Sequence, residues 1–201
     1  MPAAVPQTSP RQPPAGPTAG ALFDLQPTLV GDRVRLRPVA PDYFAALYTV
    51  AADPALWAAH PAHDRWQEPV FRRLFAETLA SGGGLVIIDK ASAAIIGSSR
   101  YHIADPAAPR AEIGWTFLAR SHWGGGYNRE AKVLMLRHAF RFVDMVVFRV
   151  GEGNLRSRRA VEKIGGTLSA EREEVRLPDG TPVIHVVYAL SRTAFLAQPA
   201  R

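Results

Sequence analysis

The sequence predicts a mixed α/β (α+β) fold, in which a mainly antiparallel sheet of about seven strands is flanked by about four helices. Two patterns support this prediction. Short runs alternate apolar and polar residues, as half-buried strands do, and longer runs repeat apolar residues every three to four positions, as amphipathic helices do. The runs follow the order β-α-α-β-β-β-α-β-α-β-β, and a chain of 201 residues suits one domain of this kind.

The first half of this order begins with a strand around Val34, which ends at Pro38 because proline cannot donate to a strand ladder. Two helices follow, opened by Pro41 and Pro69, since proline is favoured in the first helical turn. Residues 57–67 lie between these helices and combine aromatics, histidines and prolines without a regular period. They are predicted to form an irregular loop on the substrate side.

The second half holds the remaining strands and helices. Three strands of an antiparallel meander come first, and a hairpin comes last, around Pro178-Asp179-Gly180, which is typical of a tight turn. Asn154 is predicted to cap the last helix. The elements are predicted at 85–88, 94–103, 110–118, 128–142, 146–150, 154–164, 169–177 and 183–190.

Composition limits the function classes. The net charge is +6, but the basic residues are scattered and no recognition motif accompanies them. We therefore expect a polyanionic ligand such as a nucleotide cofactor, and no specific nucleic-acid binding. The absence of cysteine excludes disulfides and cysteine-bound metal, and no metal site is predicted. No apolar run is long enough to cross a membrane, so a cytoplasmic protein is expected.

The chain divides into a tail and one domain. Residues 1–26 are rich in proline and alanine and cannot bury a core, so they are predicted to be a disordered tail. The folded domain is predicted over residues 27–197.

Three consecutive glycines, Gly124 to Gly126, lie where the strand at 110–118 leads into the helix at 128–142. Glycine lets a ligand approach the backbone closely, and the first N–H groups of a helix have no partner within it. Together with the helix dipole, these N–H groups favour a phosphate or pyrophosphate. A plain glycine-rich turn is the alternative interpretation, and the flanking strand and helix favour anion binding.

Two stretches carry a resemblance to a known family. The first reads Trp123-Gly-Gly-Gly-Tyr-Asn-Arg-Glu-Ala131, and the second is an N-x-x-S-x-x-x-x-E-K-x-G run from Asn154 through Ser157 to Gly165. With the order of elements, they resemble the GNAT superfamily of N-acetyltransferases, and in particular its branch of Rim-type ribosomal-protein N-terminal acetyltransferases. The first stretch is similar to the family's pyrophosphate loop.

The resemblance implies a GNAT-like fold and acetyl transfer from acetyl-CoA to a primary amine, by direct attack in a ternary complex. No metal is implied, and acetyl-CoA is the co-substrate. The acceptor is either a protein N-terminus or a small amine, and a homodimer is an open alternative. The implied cofactor contacts are Phe117, Leu118, Trp123, Gly124, Gly125, Gly126, Tyr127, Asn128, Asn154 and Ser157.

For catalysis, the resemblance implies Glu112 as the general base, because it lies just upstream of the cofactor-binding part of its strand. His102 and His185 are alternative bases. Many family members carry a tyrosine acid at the position of Val161, so Ser157 on the same helix, or a water, is predicted to protonate the leaving thiolate. The first position of the pyrophosphate loop, usually Arg or Gln, is Ser121 in this chain. These two departures support the alternative of a non-catalytic acetyl-CoA-binding or protein-interaction module.

The basic residues near these motifs have two interpretations. His122 is a candidate phosphate contact within the loop. Arg156, Arg158 and Arg159 are candidates for the 3′-phosphate of the cofactor, or they form a solvated helix face.

Overall fold

The computed structural model describes residues 22–104, 110–177 and 180–199. Eight strands form a single sheet. The strands are β1 (Leu29–Val30), β2 (Val34–Pro38), β3 (Gly84–Asp89), β4 (Ile95–His102), β5 (Arg110–Leu118), β6 (Met145–Gly151), β7 (Thr167–Arg176) and β8 (Pro182–Ser191). The helices are α1 (Phe44–Ala51), α2 (Pro54–Trp57), α3 (Glu68–Ala80), α4 (Tyr127–Ala139), α5 (Leu155–Glu162) and α6 (Arg192–Leu196), with 3-10 turns at Pro41–Tyr43 and Arg120–His122.

The strands lie in the order β1-β2-β3-β4-β5-β6-β8-β7. Every neighbouring pair is antiparallel except β5 and β6, which run parallel because helix α4 returns the chain to the same end of the sheet. The β5–α4–β6 unit therefore joins the β1–β5 half of the sheet to the β6–β8 half.

Helices cover both faces of the sheet. Helices α1, α2 and α3 pack on one face, around Leu47, Phe71 and Phe117. Helices α4 and α5 pack on the other face, where Met135 and Tyr188 are fully buried. We refer to these as the α1–α3 face and the α4–α5 face. Strands β3 to β6 are mostly buried and lie between the two layers of helices, whereas β7 at the edge of the sheet is largely exposed.

The predicted fold is confirmed as a mixed, mainly antiparallel sheet flanked by helices. The structure adds strand β1 and the short helices α2 and α6 to the predicted elements. These additions are two, four and five residues long, too short to show a hydrophobic period in the sequence. Pro178 and Asp179 of the predicted hairpin turn lie outside the described residues.

Ordered packing begins before the predicted domain boundary at residue 27. Residues 1–21 of the predicted tail lie outside the described residues, but Phe23 packs against the rings of Tyr101 and Phe142, with centroids 5.2 and 5.0 Å away. His138 Nε2 and the carbonyl oxygen of Asp24 are 2.7 Å apart. Composition alone missed this segment because its few apolar residues are separated by polar ones.

In the part of the chain that the structure describes, no helix combines the length and the apolar character that crossing a bilayer requires.

Candidate active site

The parallel strands β5 and β6 diverge within the sheet. They pair at Glu112 and the two residues before it, and no further. Beyond this point β5 continues over residues 113–118 and β6 over residues 148–151 without pairing to each other. We call this opening the split. Its backbone edges carry N–H and C=O groups without a strand partner on that side, so an extended ligand can bond to them.

A β-bulge lies beside the split. The register between β4 and β5 shifts between Ser98 and Arg100, so Ser99 faces two residues of β5. One of them, Trp115, has φ of 49°, a conformation that a bulky residue rarely adopts. Such strain persists only where the surroundings hold it, and it commonly marks functional sites.

The glycine loop leads from the end of β5 into helix α4. Gly124 and Gly126 have φ of 78° and 84°, which favours glycine at both positions. A Cβ atom at Gly124 would meet no other atom within 4 Å, so that side of the loop is open. The first intrahelical bond of α4 runs from the Glu130 N–H to the Gly126 carbonyl, which leaves the preceding three N–H groups available. This open cradle of donors fits a pyrophosphate.

Aromatic contacts hold the loop beside the split. Trp123 Nε1 donates to the Leu118 carbonyl at 2.8 Å, and the Arg156 guanidinium stacks 3.8 Å from the Trp123 ring centroid. His122 packs edge-on against Tyr127 at 4.8 Å between centroids. Trp123 and Tyr127 therefore position the loop.

Glu130 of the predicted loop motif anchors helix α4 to the first hairpin. Its carboxylate accepts from the backbone N–H groups of Asp32 and Arg33. The side chain of Arg33 in turn reaches the glycine loop, 3.8 Å from where a Cβ of Gly126 would lie. Sequence reasoning missed Arg33, which is almost one hundred positions from the loop in the chain and adjacent to it in the fold.

Asn154 caps helix α5 as predicted, because its side chain accepts from the Ser157 N–H at 3.2 Å. Ser157 lies in the first turn and is partly buried, whereas Val161 is in the hydrophobic core. The side chain of Arg158 has a structural role, because it donates hydrogen bonds to the Tyr188 hydroxyl at 3.0 Å and to the Glu152 carbonyl.

Glu112 lies where the split begins, and its side chain is on the α1–α3 face. The carboxylate is almost fully buried and pairs with Arg149, which also pairs with Glu173 at 2.8 Å. Burial raises the pKa of Glu112, and Arg149 opposes part of that shift. His102 faces Glu112 across the strand register, and His185 lies near Glu173 and Arg149, where burial lowers its pKa. The three candidate bases therefore share one region.

Lys132 is buried beside the split on the α4–α5 face. Its Nζ donates to the hydroxyls of Ser99 and Thr116 and lies 5.8 Å from the Phe148 ring centroid, so it bridges β4, β5 and β6. Burial lowers the pKa of Lys132 to about 7. The sequence did contain a signal for this lysine, because it shares a helix face with Met135 at the i, i+3 spacing.

The other predicted cofactor residues divide into backbone and side-chain positions. Phe117 packs against Trp57 on one face of the sheet, and Leu118 lies in the core of the other, so only their backbones face the split. Asn128 is partly buried in the first turn of α4. Among residues 22–104, 110–177 and 180–199, no group of His, Asp or Glu side chains is arranged to hold a metal ion.

Residues 33–167 match the family described as the acetyltransferase (GNAT) domain, which covers about two thirds of the chain. The chain belongs to the GNAT acetyltransferase family. The resemblance that the glycine loop and the Asn154 stretch carry is thereby confirmed. A comparison with curated proteins found no match.

Solved structures share the fold. One described as an acetyltransferase has 30% identity and a TM-score of 0.71, with 84% of this chain and 88% of that one covered. RimJ from Mycobacterium smegmatis, in complex with CoA-disulfide, has 21% identity and a TM-score of 0.60, with 80% and 82% covered. The microcin C7 self-immunity acetyltransferase MccE, in complex with acetyl-CoA and AMP, has 17% identity and a TM-score of 0.69, with 84% and 98% covered. The last two likenesses show the fold alone.

Proposed function

We propose that this GNAT acetyltransferase moves the acetyl group of acetyl-CoA to a primary amine by direct attack in a ternary complex. The observation that carries the proposal is the split, which begins at a buried carboxylate, Glu112, and ends at the glycine loop. A pantetheine arm in the split would connect the loop to that carboxylate.

The chain's own residues suit each part of this reaction. The N–H groups that open helix α4 would hold the pyrophosphate, with Arg33 and Arg156 beside the loop. A backbone N–H of β5 in the split would polarise the thioester carbonyl. Acetyl-CoA supplies the activated acyl group, and alignment of the two substrates contributes much of the rate.

Proton transfer needs a base and an acid. Glu112 would accept the ammonium proton, directly or through water. Burial raises the pKa of its carboxyl group towards neutral pH, which makes the carboxylate a stronger base. His102 and His185 are alternative bases in the same region. Ser157 is the proposed acid for the thiolate, on the helix where the family commonly has a tyrosine.

The second candidate, a non-catalytic module, rests on Ser121 and Val161. The geometry supports it less, because Ser121 bonds to its neighbour His122 at 2.9 Å and the backbone donors of the loop remain intact. A degenerate site also has no need of a buried carboxylate where β5 and β6 separate, three residues before the strained Trp115.

The two candidates differ in a thiol-release assay. We expect acetyl-CoA to bind in a calorimetric titration, and free CoA thiol to appear when a panel of amines and peptides is added. Binding without thiol release from any acceptor would favour the module. The absence of acetyl-CoA binding would contradict both candidates.

A further inference from the structure

Arg100 on strand β4 is a buried cation without a counter-ion. Its side chain lies over the Trp115 ring, with Cζ 3.5 Å from the ring centroid, and only 7% of the residue is exposed. Its Nε is buried without a hydrogen-bond partner, and the guanidinium forms no ion pair with any residue that the structure describes. Burial lowers the pKa of Arg100.

This arrangement is costly to the folded chain. A buried charge is normally paired, because the loss of hydration has to be offset by an opposite charge or by hydrogen bonds. Arg149, on the same face of the sheet, follows this rule and contacts both Glu112 and Glu173. The stacking on Trp115 compensates the buried charge of Arg100 only in part, because the Nε of Arg100 has no hydrogen-bond partner among the described residues.

A second arginine lies on the same face of the sheet, over the Trp57 ring at 5.6 Å from its centroid. Arg65, in the segment between α2 and α3, bonds to His60 at 3.2 Å and also has no carboxylate paired with it among the described residues. Burial lowers the pKa of Arg65 to about 10, and repulsion from Arg100 adds to the shift. Burial also lowers the pKa of His60 to about 3, so this imidazole is neutral at pH 7 and leaves the positive charge to the arginines.

Acidic groups act on the two arginines without neutralising them by contact. Glu77 attracts both guanidinium groups, Asp64 attracts Arg65, and Glu112 attracts Arg100. None of these carboxylates forms an ion pair with either arginine in the part of the chain that the structure describes. This longer-range attraction explains how the two cations are tolerated, and it leaves both guanidinium groups without a carboxylate bonded to them.

The position of Arg100 on the sheet suits a ligand that is the acceptor amine and not the cofactor. Tyr101, the residue after Arg100, faces the α4–α5 core and bonds to the Met135 carbonyl, so Arg100 faces the α1–α3 side. The cofactor's phosphates belong to the glycine loop, where helix α4 begins. Arg100 stacks on Trp115, the residue of the β-bulge with positive φ, so its guanidinium lies beside the split.

We propose that Arg100 and Arg65 bind an anionic group, a carboxylate or a phosphate, carried by the amine that accepts the acetyl group. The inference rests on the proposed acetyl transfer and narrows its acceptor. Planar guanidinium groups suit both anions, because each can accept two parallel hydrogen bonds. The acceptor is thereby an amino acid, an acidic peptide N-terminus or an aminoalkyl phosphate, and a simple polyamine is disfavoured.

The test compares acceptors that differ only in the anion. The pairs are 4-aminobutyrate with butylamine, phosphoethanolamine with ethanolamine, and an N-terminal Ala-Glu peptide with its Ala-Gln counterpart. We expect kcat/KM for thiol release to be at least about tenfold higher for the charged member of one pair, and the pair that shows it identifies the anion. Equal values in every pair would overturn the inference, and thiol release from both members would leave acetyl transfer standing. Release from no amine would overturn both.

Arg100→Gln assigns the preference to this side chain. We expect the variant to lose the charged-to-neutral preference, to keep its rate with the neutral amines and its acetyl-CoA affinity, and to melt at the same temperature or higher, because an unpaired buried charge is gone. Arg73→Gln, at an exposed position of α3, is the matched control and should keep the preference. A variant that lost activity with neutral and charged amines alike would show a structural role and contradict the inference.

Discussion

Glu112 combines three properties of a general base: it is buried, its pKa is raised, and it lies where β5 and β6 separate. Its pairing with Arg149 limits the rise of the pKa and fixes the orientation of the carboxylate. The carboxylate must be ionised to accept a proton, so the rate should fall as the pH falls through this pKa.

Replacing Glu112 by Gln tests the role of the carboxylate. We expect kcat to fall by about 100-fold or more, with acetyl-CoA affinity unchanged and the acidic limb of the pH–rate profile removed. The fold should survive because Arg149 retains Glu173. An unaltered acidic limb in the Glu112→Gln variant would assign the base to another group, and the same profile measured on His102→Gln and His185→Gln would then identify it.

Lys132 links residue chemistry to stability. Its pKa is about 7 in the folded chain and 10.5 as an ordinary lysine, so the folded protein loses this proton first. Below pH 7 the folded state carries the full cost of the buried charge, and that cost is relieved as the pH rises from about 7 to about 10.5.

Lys132→Met should therefore stabilise the protein below pH 7, by at most about 5 kcal/mol, and the difference from the unaltered chain should shrink towards pH 10. Ser99 and Thr116 stay satisfied because their hydroxyls bond to each other at 2.8 Å. Denaturant unfolding across this pH range measures the effect, with the exposed Lys163→Met as control. If the difference in unfolding free energy between the two proteins stayed constant with pH, Lys132 would not titrate between pH 7 and pH 10.

At the scale of elements, helix α5 rests on a cap that has a second proposed role. Asn154→Ala should destabilise the domain by about 1 kcal/mol and also weaken acetyl-CoA binding. Asn154→Ser should restore the stability, because serine is an equally good cap, but not the affinity if the amide contacts the cofactor arm. The comparison requires a melting curve and a calorimetric titration for each variant. If Asn154→Ser fully restored the affinity for acetyl-CoA, Asn154 would act only as a helix cap.

The elements themselves were predictable wherever one periodic pattern extended over a whole strand or helix. The strand at 110–118 and the helix that follows the glycine loop show this clearly, since their apolar periods are unbroken. The split was not predictable from periodicity, because β5 keeps a strand pattern while its hydrogen bonds to β6 stop.

Arg65 and Arg100 show why some residues of the candidate site could not be predicted from the sequence. Arg65 precedes helix α3 and Arg100 lies on strand β4, and only the tertiary fold brings their charges close enough to repel each other. Neither residue belongs to a recognisable sequence motif. The orientation of Arg100 follows from strand alternation, but its missing counter-ion is a property of the surrounding helices. The loop residues, by contrast, are consecutive in sequence and were predictable together.

At the scale of the whole molecule, the proposed sites for the cofactor and the acceptor lie on opposite sides of the split. The glycine loop and helix α4 form the proposed cofactor side, and the α1–α3 face with Glu112, Arg65 and Arg100 forms the proposed acceptor side. The net charge of +6 suits an anionic cofactor. Because acetyl-CoA bound in the split would contact both halves of the sheet, its binding should stabilise the folded chain as a unit.

We expect acetyl-CoA at about 100 times its Kd to raise the melting temperature by roughly 5 to 10 °C. Gly125→Glu should abolish the shift, because it places a carboxylate in the cradle of the pyrophosphate. Gly125→Ala is the matched control, since its Cβ makes the same 3.2 Å approach to the Tyr127 ring without the charge. A normal shift in Gly125→Glu would refute the loop as the cofactor site.

In the proposed reaction, the split holds the pantetheine arm, so that the thioester extends from the glycine loop towards the α1–α3 face. A structure of the protein with acetyl-CoA bound is the decisive test. We expect the pyrophosphate on Gly124 to Gly126, the pantetheine arm between β5 and β6, and the acetyl carbon facing Glu112. Acetyl-CoA bound elsewhere, or an acetyl group directed away from Glu112 and the arginines, would contradict it.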